Sequence, residues 1–446
     1  MIQSGVRSRL VGGSAWALGG RIVAAFAVLA VNALMARLLD PQQFGAYLLV
    51  ANLVLFGATL AQLGLRQTMV RLVAESLGRS APARARSVIR ISFGLAALGA
   101  ATTAAALAIA GHWLARSVFH STIVGGVVWL AVAWLIVSTF QTLLSDLFRG
   151  FQDFRLASLF ETLAANALLA AVLAIVWVFR GRASLPQVVA LSVAAAGIAV
   201  LIAGILARPR VRLLPAEGGS MSVGQVMTIA WPLLITGLTL FLLGSGVDVL
   251  ILGAFRSQQD VALYGAAIRL LLLAVTPLNI LNYVVSPIVA ERHGRDRPED
   301  IQSLLRASAT AAAVPSLVVL AVCIFAGGPV LSLVYGPFYR GAATVLAILS
   351  AGHAVNVCAG SCGTVLMMTG NQRSAMAITL VAGLLSVAGN VALVIPFGAV
   401  GIAISTAVAT VLQNVLMVWS VRRRLGVWTT VESPAKALRQ LRAGGV

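Results

Sequence analysis

Charge is scarce in this sequence. Of its 446 residues only 10% are charged, while 60% are hydrophobic. Apolar runs of about twenty residues, enough to cross a bilayer as a helix, recur from end to end, which excludes a water-soluble fold. Lysine is scarcer still: of 32 basic residues only Lys436 is lysine. No phosphate loop ending in Gly-Lys-Ser/Thr fits within the apolar body, so an ATPase of that type is excluded. Acidic residues number 13, leaving a formal charge of +19. The only cysteines, Cys323, Cys358 and Cys362, lie in apolar runs with no Cys-x-x-Cys pair and no histidine cluster. They read as small hydrophobic residues, and neither a metal nor a cofactor is expected.

Charge and Gly/Pro clusters divide the apolar runs into twelve expected spans. The first six run from Ser14 to Ala36, Gly45 to Leu65, Val88 to Trp113, Ile123 to Leu147, Leu156 to Phe179 and Leu185 to Ala207. The second six are Gln225 to Gly253, Leu263 to Ala290, Leu304 to Gly327, Ala342 to Thr369, Ala375 to Ile395 and Ala399 to Val421. The run after Met1 to Gly13 exceeds the core of a signal peptide and reads as a span. With the N-terminus in the cytoplasm, inner segments carry 24 basic residues and outer connections 6, with Arg21 and Arg269 inside spans. Such a bias places both termini in the cytoplasm. It also makes anionic phospholipid headgroups, not nucleic acid, the expected partner of the charge.

The chain repeats itself. "ARLLDPQQFGAYLLV", Ala36 to Val50, is echoed by "GAFRSQQDVALYGAA", Gly253 to Ala267, with Tyr264 under Tyr47. "LVAESLGR", Leu72 to Arg79, is echoed by "IVAERHGR", Ile288 to Arg295. Two copies of one six-helix unit follow. Six spans bring both copies in from the same side, so the lobes are parallel, related by a pseudo-twofold along the membrane normal. The fold class is thus an all-α integral membrane protein of about 12 transmembrane helices. Its expected parts are an N-terminal lobe over 1–210, a linker over 211–223, a second lobe over 224–421 and a basic tail over 422–446. A cleft between the lobes is the expected substrate site.

Asn52, Thr59, Gln62 and Arg66 are spaced to share one face of a helix. Arg269, Thr276, Asn279 and Tyr283 occupy the same places 217 residues later. Polar side chains avoid lipid, so the two stripes either bond neighbouring helices or line a cavity. Arg21 and Arg269 either enter that cavity or reach the interface. Asp248 stands near Arg269 in the expected topology and either pairs with it or serves as a proton or cation site. Pro277 predicts a bend in the eighth span. Asp146, Arg149, Arg155 and Glu161 bracket an inner connection and are expected to satisfy one another. His353 reads as a hydrogen-bonded packing residue.

"ARLLDPQQFGAYLLV", "VDVLILGAF" and "ALYGAAIRL", with twelve spans, make the chain resemble the O-antigen and exopolysaccharide flippases. That family lies in the superfamily of the multidrug and toxin extrusion transporters and the lipid II flippases. The resemblance implies a flippase of the bacterial inner membrane, not an enzyme. It would move an undecaprenyl-diphosphate-linked oligosaccharide outward by alternating access, beside polysaccharide polymerase machinery. It also implies a cationic cavity, with Arg21, Arg269 and Asp248 at matching positions. A cation-coupled antiporter of the same fold and a lipid II flippase are the alternatives, although lipid II flippases usually carry two further helices. A polymerase or ligase would need a larger outer loop, and a scaffold leaves the matched stripes unexplained.

Overall fold

A computed structural model describes residues 19, 23–215, 219–242, 244–293 and 298–432. The helices are Val23–Leu38 (α1), Pro41–Ala61 (α2), Leu65–Gly78 (α3), Pro82–Trp113 (α4) and Val128–Gly150 (α5). Phe154–Arg180 (α6) follows, then Leu185–Arg212 (α7) and Val223–Leu242 (α8). After these come Ser245–Phe255 (α9), Gln258–Ala274 (α10), Thr276–His293 (α11), Pro298–Phe325 (α12), Gly327–Tyr335 (α13), Ala343–Ala359 (α14), Cys362–Met368 (α15) and Gln372–Leu425 (α16).

Nine described helices are long and apolar enough to cross a membrane, ten when α10 and the start of α11 count as one bent span. Two places separate this from twelve. The described part of the first expected span, α1, is short, and α16 runs through the eleventh and twelfth expected spans as 54 residues. Within α16, Pro396 lacks an N–H and Gly398 leaves the helical region at φ 57°, so the carbonyls just before it lose their helical donors. The Arg256 side chain takes their place, donating from Nε to the Val394 carbonyl at 3.0 Å and from Nη2 to that of Ile395.

Packing divides the chain into two units, Met1–Phe241 and Leu242–Val446. Helix α8, which follows the connection expected to separate the lobes, packs with the first: its Val226 and Ala230 join Leu65, Met69, Leu72 and Phe148 in one buried cluster. In the second unit Val285, Leu305, Val365, Leu366 and Met417 form a comparable cluster. Cys323 and Cys362 are buried there as free thiols, with Cys358 half-buried.

Lipid offers no hydrophobic drive for helices to associate, so their contact faces use small residues that allow close approach. Helix α7 follows this rule: Ser192, Ala195, Ala196, Ala199, Ala203 and Ala207 are buried, while Ile198, Leu201, Ile202 and Ile205 are exposed. Helix α4 likewise buries Ala85, Ser92, Ala96, Gly99 and Ala100 and exposes Leu98 and Ile109.

The echo at Pro41 and Gln258 holds at the start of α2 and α10, but these helices end at Ala61 and Ala274, so the second copy breaks one turn sooner. There α10 and α11 meet at a 48° bend beside Pro277, as expected. After α2 the chain turns through Leu63 and Gly64, at φ 49° and 76°. Helix α8 seats on this turn so closely that a Cβ at Gly64 would fall 2.0 Å from the Ala230 carbonyl oxygen. Both the left-handed backbone and this contact require glycine. Gly64→Ala should therefore lower stability by about 2 to 4 kcal/mol, seen as a fall in the thermal midpoint of the detergent-purified protein. Gly197→Ala, where a Cβ meets nothing within 4 Å, should leave that midpoint unchanged or raise it.

Candidate functional site

The turn that ends α2 divides the first polar stripe between two helices. Thr59 remains on α2, its hydroxyl donating to the Leu55 carbonyl at 2.8 Å. Gln62 caps the helix end and donates from Nε2 to the Thr142 hydroxyl on α5 at 2.6 Å. Arg66 lies beyond α2, in the first turn of α3, and its guanidinium reaches α5: Nε sits 2.8 Å from Asp146 Oδ2.

Asp146 anchors a four-member ion network. Its other oxygen, Oδ1, accepts from Arg149 at 2.8 Å, and Arg149 also pairs with Glu161. Arg66 Nη2 closes the ring at 3.7 Å from Glu161 Oε1. Glu161 stands on the π-turn Leu159–Leu163 inside α6, where the extra residue re-aims a side chain that regular α-helix would send elsewhere. The Asp146 side chain is 3% exposed, against 32% for Glu161 and 40% for Arg66. A carboxylate this buried is tolerable only because both oxygens are paired. As expected, Asp146, Arg149 and Glu161 satisfy one another; Arg66 joins them.

These groups border a cavity of about 580 Å³, with Thr59, Gln62, Arg66, Gln67, Arg71, Asp146 and Arg149 on its polar side and Leu233, Leu234, Leu240 and Phe241 of α8 on its apolar side. Arg66 and Arg149 are balanced by Asp146 and Glu161, so the excess positive charge at the cavity is that of Arg71. Arg71 is exposed and pairs with no described carboxylate. Planar guanidinium forks suit phosphate oxygens, and the hydroxyl and amides suit sugar hydroxyls.

The other expected residues are distributed differently. Asn52 is buried on α2, where its Nδ2 donates to the Leu48 carbonyl at 2.8 Å; it is absent from the cavity wall. The continuous stripe fails because the helix breaks between Gln62 and Arg66. Arg269 is half-buried, and its Nε has no hydrogen-bond partner among the described residues. Thr276 donates to the Leu272 carbonyl at 2.9 Å, at the bend, and Asn279 is exposed. Arg21 and the side chain of Tyr283 lie outside the described residues.

The option of an Asp248–Arg269 pair is corrected. Asp248, buried on α9, accepts from neutral donors instead: Tyr264 Oη at 2.7 Å, Asn390 Nδ2 at 2.7 Å and Thr406 Oγ1 at 3.1 Å. Asn390 Oδ1 beside it has no hydrogen-bond partner among the described residues. A buried carboxylate with three neutral donors and a spare amide oxygen can hold a proton or a hard cation. His353 also departs from expectation, since its Nδ1 has no hydrogen-bond partner among the described residues.

Sequence reading missed Gln67, Arg71, Asn390 and Thr406 as site residues. The first two follow the break that Gly64 marks, and the last two flank the Pro396–Gly398 bend. In a variant whose three cysteines are replaced, Thr59→Cys, half-buried at the cavity wall, should label with a water-soluble maleimide, while Asn52→Cys, buried and away from that wall, should stay inert. Equal labelling of the two would contradict the broken stripe.

A family model described as polysaccharide biosynthesis protein matches residues 10–293, and one described as MatE matches residues 232–392. No curated protein matches. Among solved structures, the chain is similar to an inward-facing multidrug resistance transporter of the MATE family and MOP superfamily. The TM-score is 0.74 and the identity 13%, over 90% of this chain and 94% of that one. It is also similar to the lipid II flippase MurJ in an inward closed conformation, with TM-score 0.61 and 12% identity over 96% and 90% of the chains. A MOP superfamily transporter from Pyrococcus furiosus Vc1 (DSM3638), described as having a binding pocket of reverse polarity that suggests a different function, gives TM-score 0.61 and 14% identity over 93% and 94%. At these identities the structural likeness speaks for the fold alone. With the first family model spanning more than half of its residues, the chain belongs to the polysaccharide biosynthesis protein family, as a multi-pass membrane protein with the fold of the MOP superfamily.

Proposed function

We propose that the protein is a flippase that carries an undecaprenyl-diphosphate-linked oligosaccharide from the cytoplasmic to the outer leaflet of the bacterial inner membrane. The observation that carries this reading is the cavity of the first unit, where Arg71, outside the Arg66–Asp146–Arg149–Glu161 ring, stands beside Thr59, Gln62 and Gln67. Membership in the polysaccharide biosynthesis protein family supports a glycan substrate. A diphosphate with its sugars cannot cross about 30 Å of hydrocarbon unaided, whereas the prenyl tail need never leave it. On this reading Arg71, with whichever guanidinium the ring releases, holds the diphosphate, the amides and hydroxyl hold sugars, and alternating access moves the head while the tail stays in lipid. Arginine bias supports cytoplasmic termini, with polysaccharide polymerase machinery as the acceptor of the product.

A cation-coupled antiporter is the second reading, favoured by Asp248. Its buried carboxylate, with Tyr264, Asn390 and Thr406 around it, is the kind of group such a cycle requires, and the MatE model matches this part of the chain. Within the flippase reading the same carboxylate supplies the coupling site.

In a deletion strain, Arg71→Gln should reduce glycan export about tenfold or more at normal protein level, the scale of one lost charged hydrogen bond to phosphate. Lipid-linked oligosaccharide should accumulate in the inner leaflet. Wild-type export by both Arg71→Gln and Arg66→Gln would refute the cavity assignment. Glycan export unaffected by deleting the protein, together with drug resistance lost in Asp248→Asn, would establish the antiporter instead.

A further inference from the structure

A second cavity of the first unit, of about 490 Å³, lies between the start of α4 and the end of α7. Arg86 and Arg90 stand one turn apart on α4, and Arg208 and Arg212 one turn apart on α7; all four border it. Like charges four residues apart destabilise a helix, and here two such pairs share one cavity. No described acidic residue borders it. Arg86 is fixed by donating to the Leu214 carbonyl at 2.8 Å, while Arg90, Arg208 and Arg212 pair with no described carboxylate. Arg210, between the last two, points elsewhere: it is paired with Asp153 at 2.9 Å and lies over the Phe148 ring. The floor is apolar, with Ile89, Phe93, Leu144, Leu147 and Val211.

We infer that this cavity binds an anionic phospholipid, its phosphate held by the four arginines and the start of an acyl chain laid on the apolar floor. The volume lies in the range of small-molecule sites, and a site of charge rim and oily floor matches a molecule built the same way. Guanidinium forks hold phosphate bidentately, and the arginine bias puts this end of the helices at the cytoplasmic surface, where anionic headgroups lie. A phospholipid fits better than the prenyl-linked glycan. Apart from arginine, the polar lining is only Ser87 and Ser220, and Ser87 already accepts from the Met221 N–H at 3.2 Å. Nothing there would recognise a sugar chain. The inference stands independently of the transported substrate.

The test is native mass spectrometry of the full chain with dioleoyl phosphatidylglycerol or dioleoyl phosphatidylcholine. Wild type should retain phosphatidylglycerol preferentially, and Arg90→Gln/Arg212→Gln should weaken it about tenfold or more, at roughly 1 kcal/mol per arginine. Arg116→Gln/Arg182→Gln, the same charge change at exposed positions, should retain it. Gly204→Met is the second variant: Gly204 borders the cavity, a Cβ there meets nothing within 4 Å, and the added side chain should expel the lipid with every arginine in place. Unchanged retention in both cavity variants, or equal loss in the exposed pair, would overturn the inference. So would displacement of phosphatidylglycerol by equimolar prenyl diphosphate, which would give the cavity to the substrate.

Discussion

A peptide group in hydrocarbon has no water to bond, so a helix within a membrane can break only where something else takes up the freed donors and acceptors. The breaks in this chain obey that constraint in different ways. After α2 the turn bonds within itself, Leu65 N donating to the Gln62 carbonyl at 2.7 Å. At the Gly398 bend a guanidinium serves. Between α14 and α15, where Gly360 has φ 69°, the segment beyond α16 folds back: Thr429 Oγ1 donates to the Ala359 carbonyl at 2.9 Å and Val431 N to that of Cys358 at 3.0 Å. Arg306 then holds the end of this strap through Glu432 at 2.9 Å.

The cavity of the first unit is a product of the first break. Had α2 run on as a helix through Arg66, that side chain would have stayed on the face of Asn52 and Gln62. Turned onto α3, it meets Asp146 and, with Arg149 and Glu161, forms a ring of two cations and two anions. The ring is close to neutral as a whole, so it fixes three helices without drawing in an anion. Attraction for an anion then rests on Arg71, which the ring does not include, and on whichever fork the ring releases. On the proposed reading, a rigid frame with Arg71 as its one arginine unpaired among the described residues would suit repeated binding and release better than a cluster of unpaired arginines.

Composition made the membrane class legible, and the echo of residues 36–50 at 253–267 made the equivalent starts of α2 and α10 legible. The bend beside Pro277 was readable because proline has one effect in a helix. Other features were not. Asn52 and Gln62 share a helical face, but a pattern of spacings assumes one unbroken helix, and a single glycine at position 64 voids that assumption. Asp248 and Arg269 looked like partners because opposite charges attract at any range on paper, whereas three neutral donors from α10 and α16 were already nearer. Two of those donors, Asn390 and Thr406, lie more than 140 residues from Asp248, and no local pattern announces such a meeting.

The two halves of α16 have a joint dependence on the hairpin of α9 and α10. Asn390 precedes the bend and Thr406 follows it, and both bond the one carboxylate of Asp248; Arg256, at the end of α9, clasps the backbone at the bend itself. The arrangement works as a latch with two catches, one of side chain and one of backbone. On the coupling reading proposed above, a proton or cation arriving at Asp248 would compete for the lone pairs that hold Asn390 and Thr406, and so would loosen the side-chain catch on both halves at once. On that reading the geometry at the bend would follow what occupies one carboxylate, while Arg256 keeps its hold on the Val394 and Ile395 carbonyls.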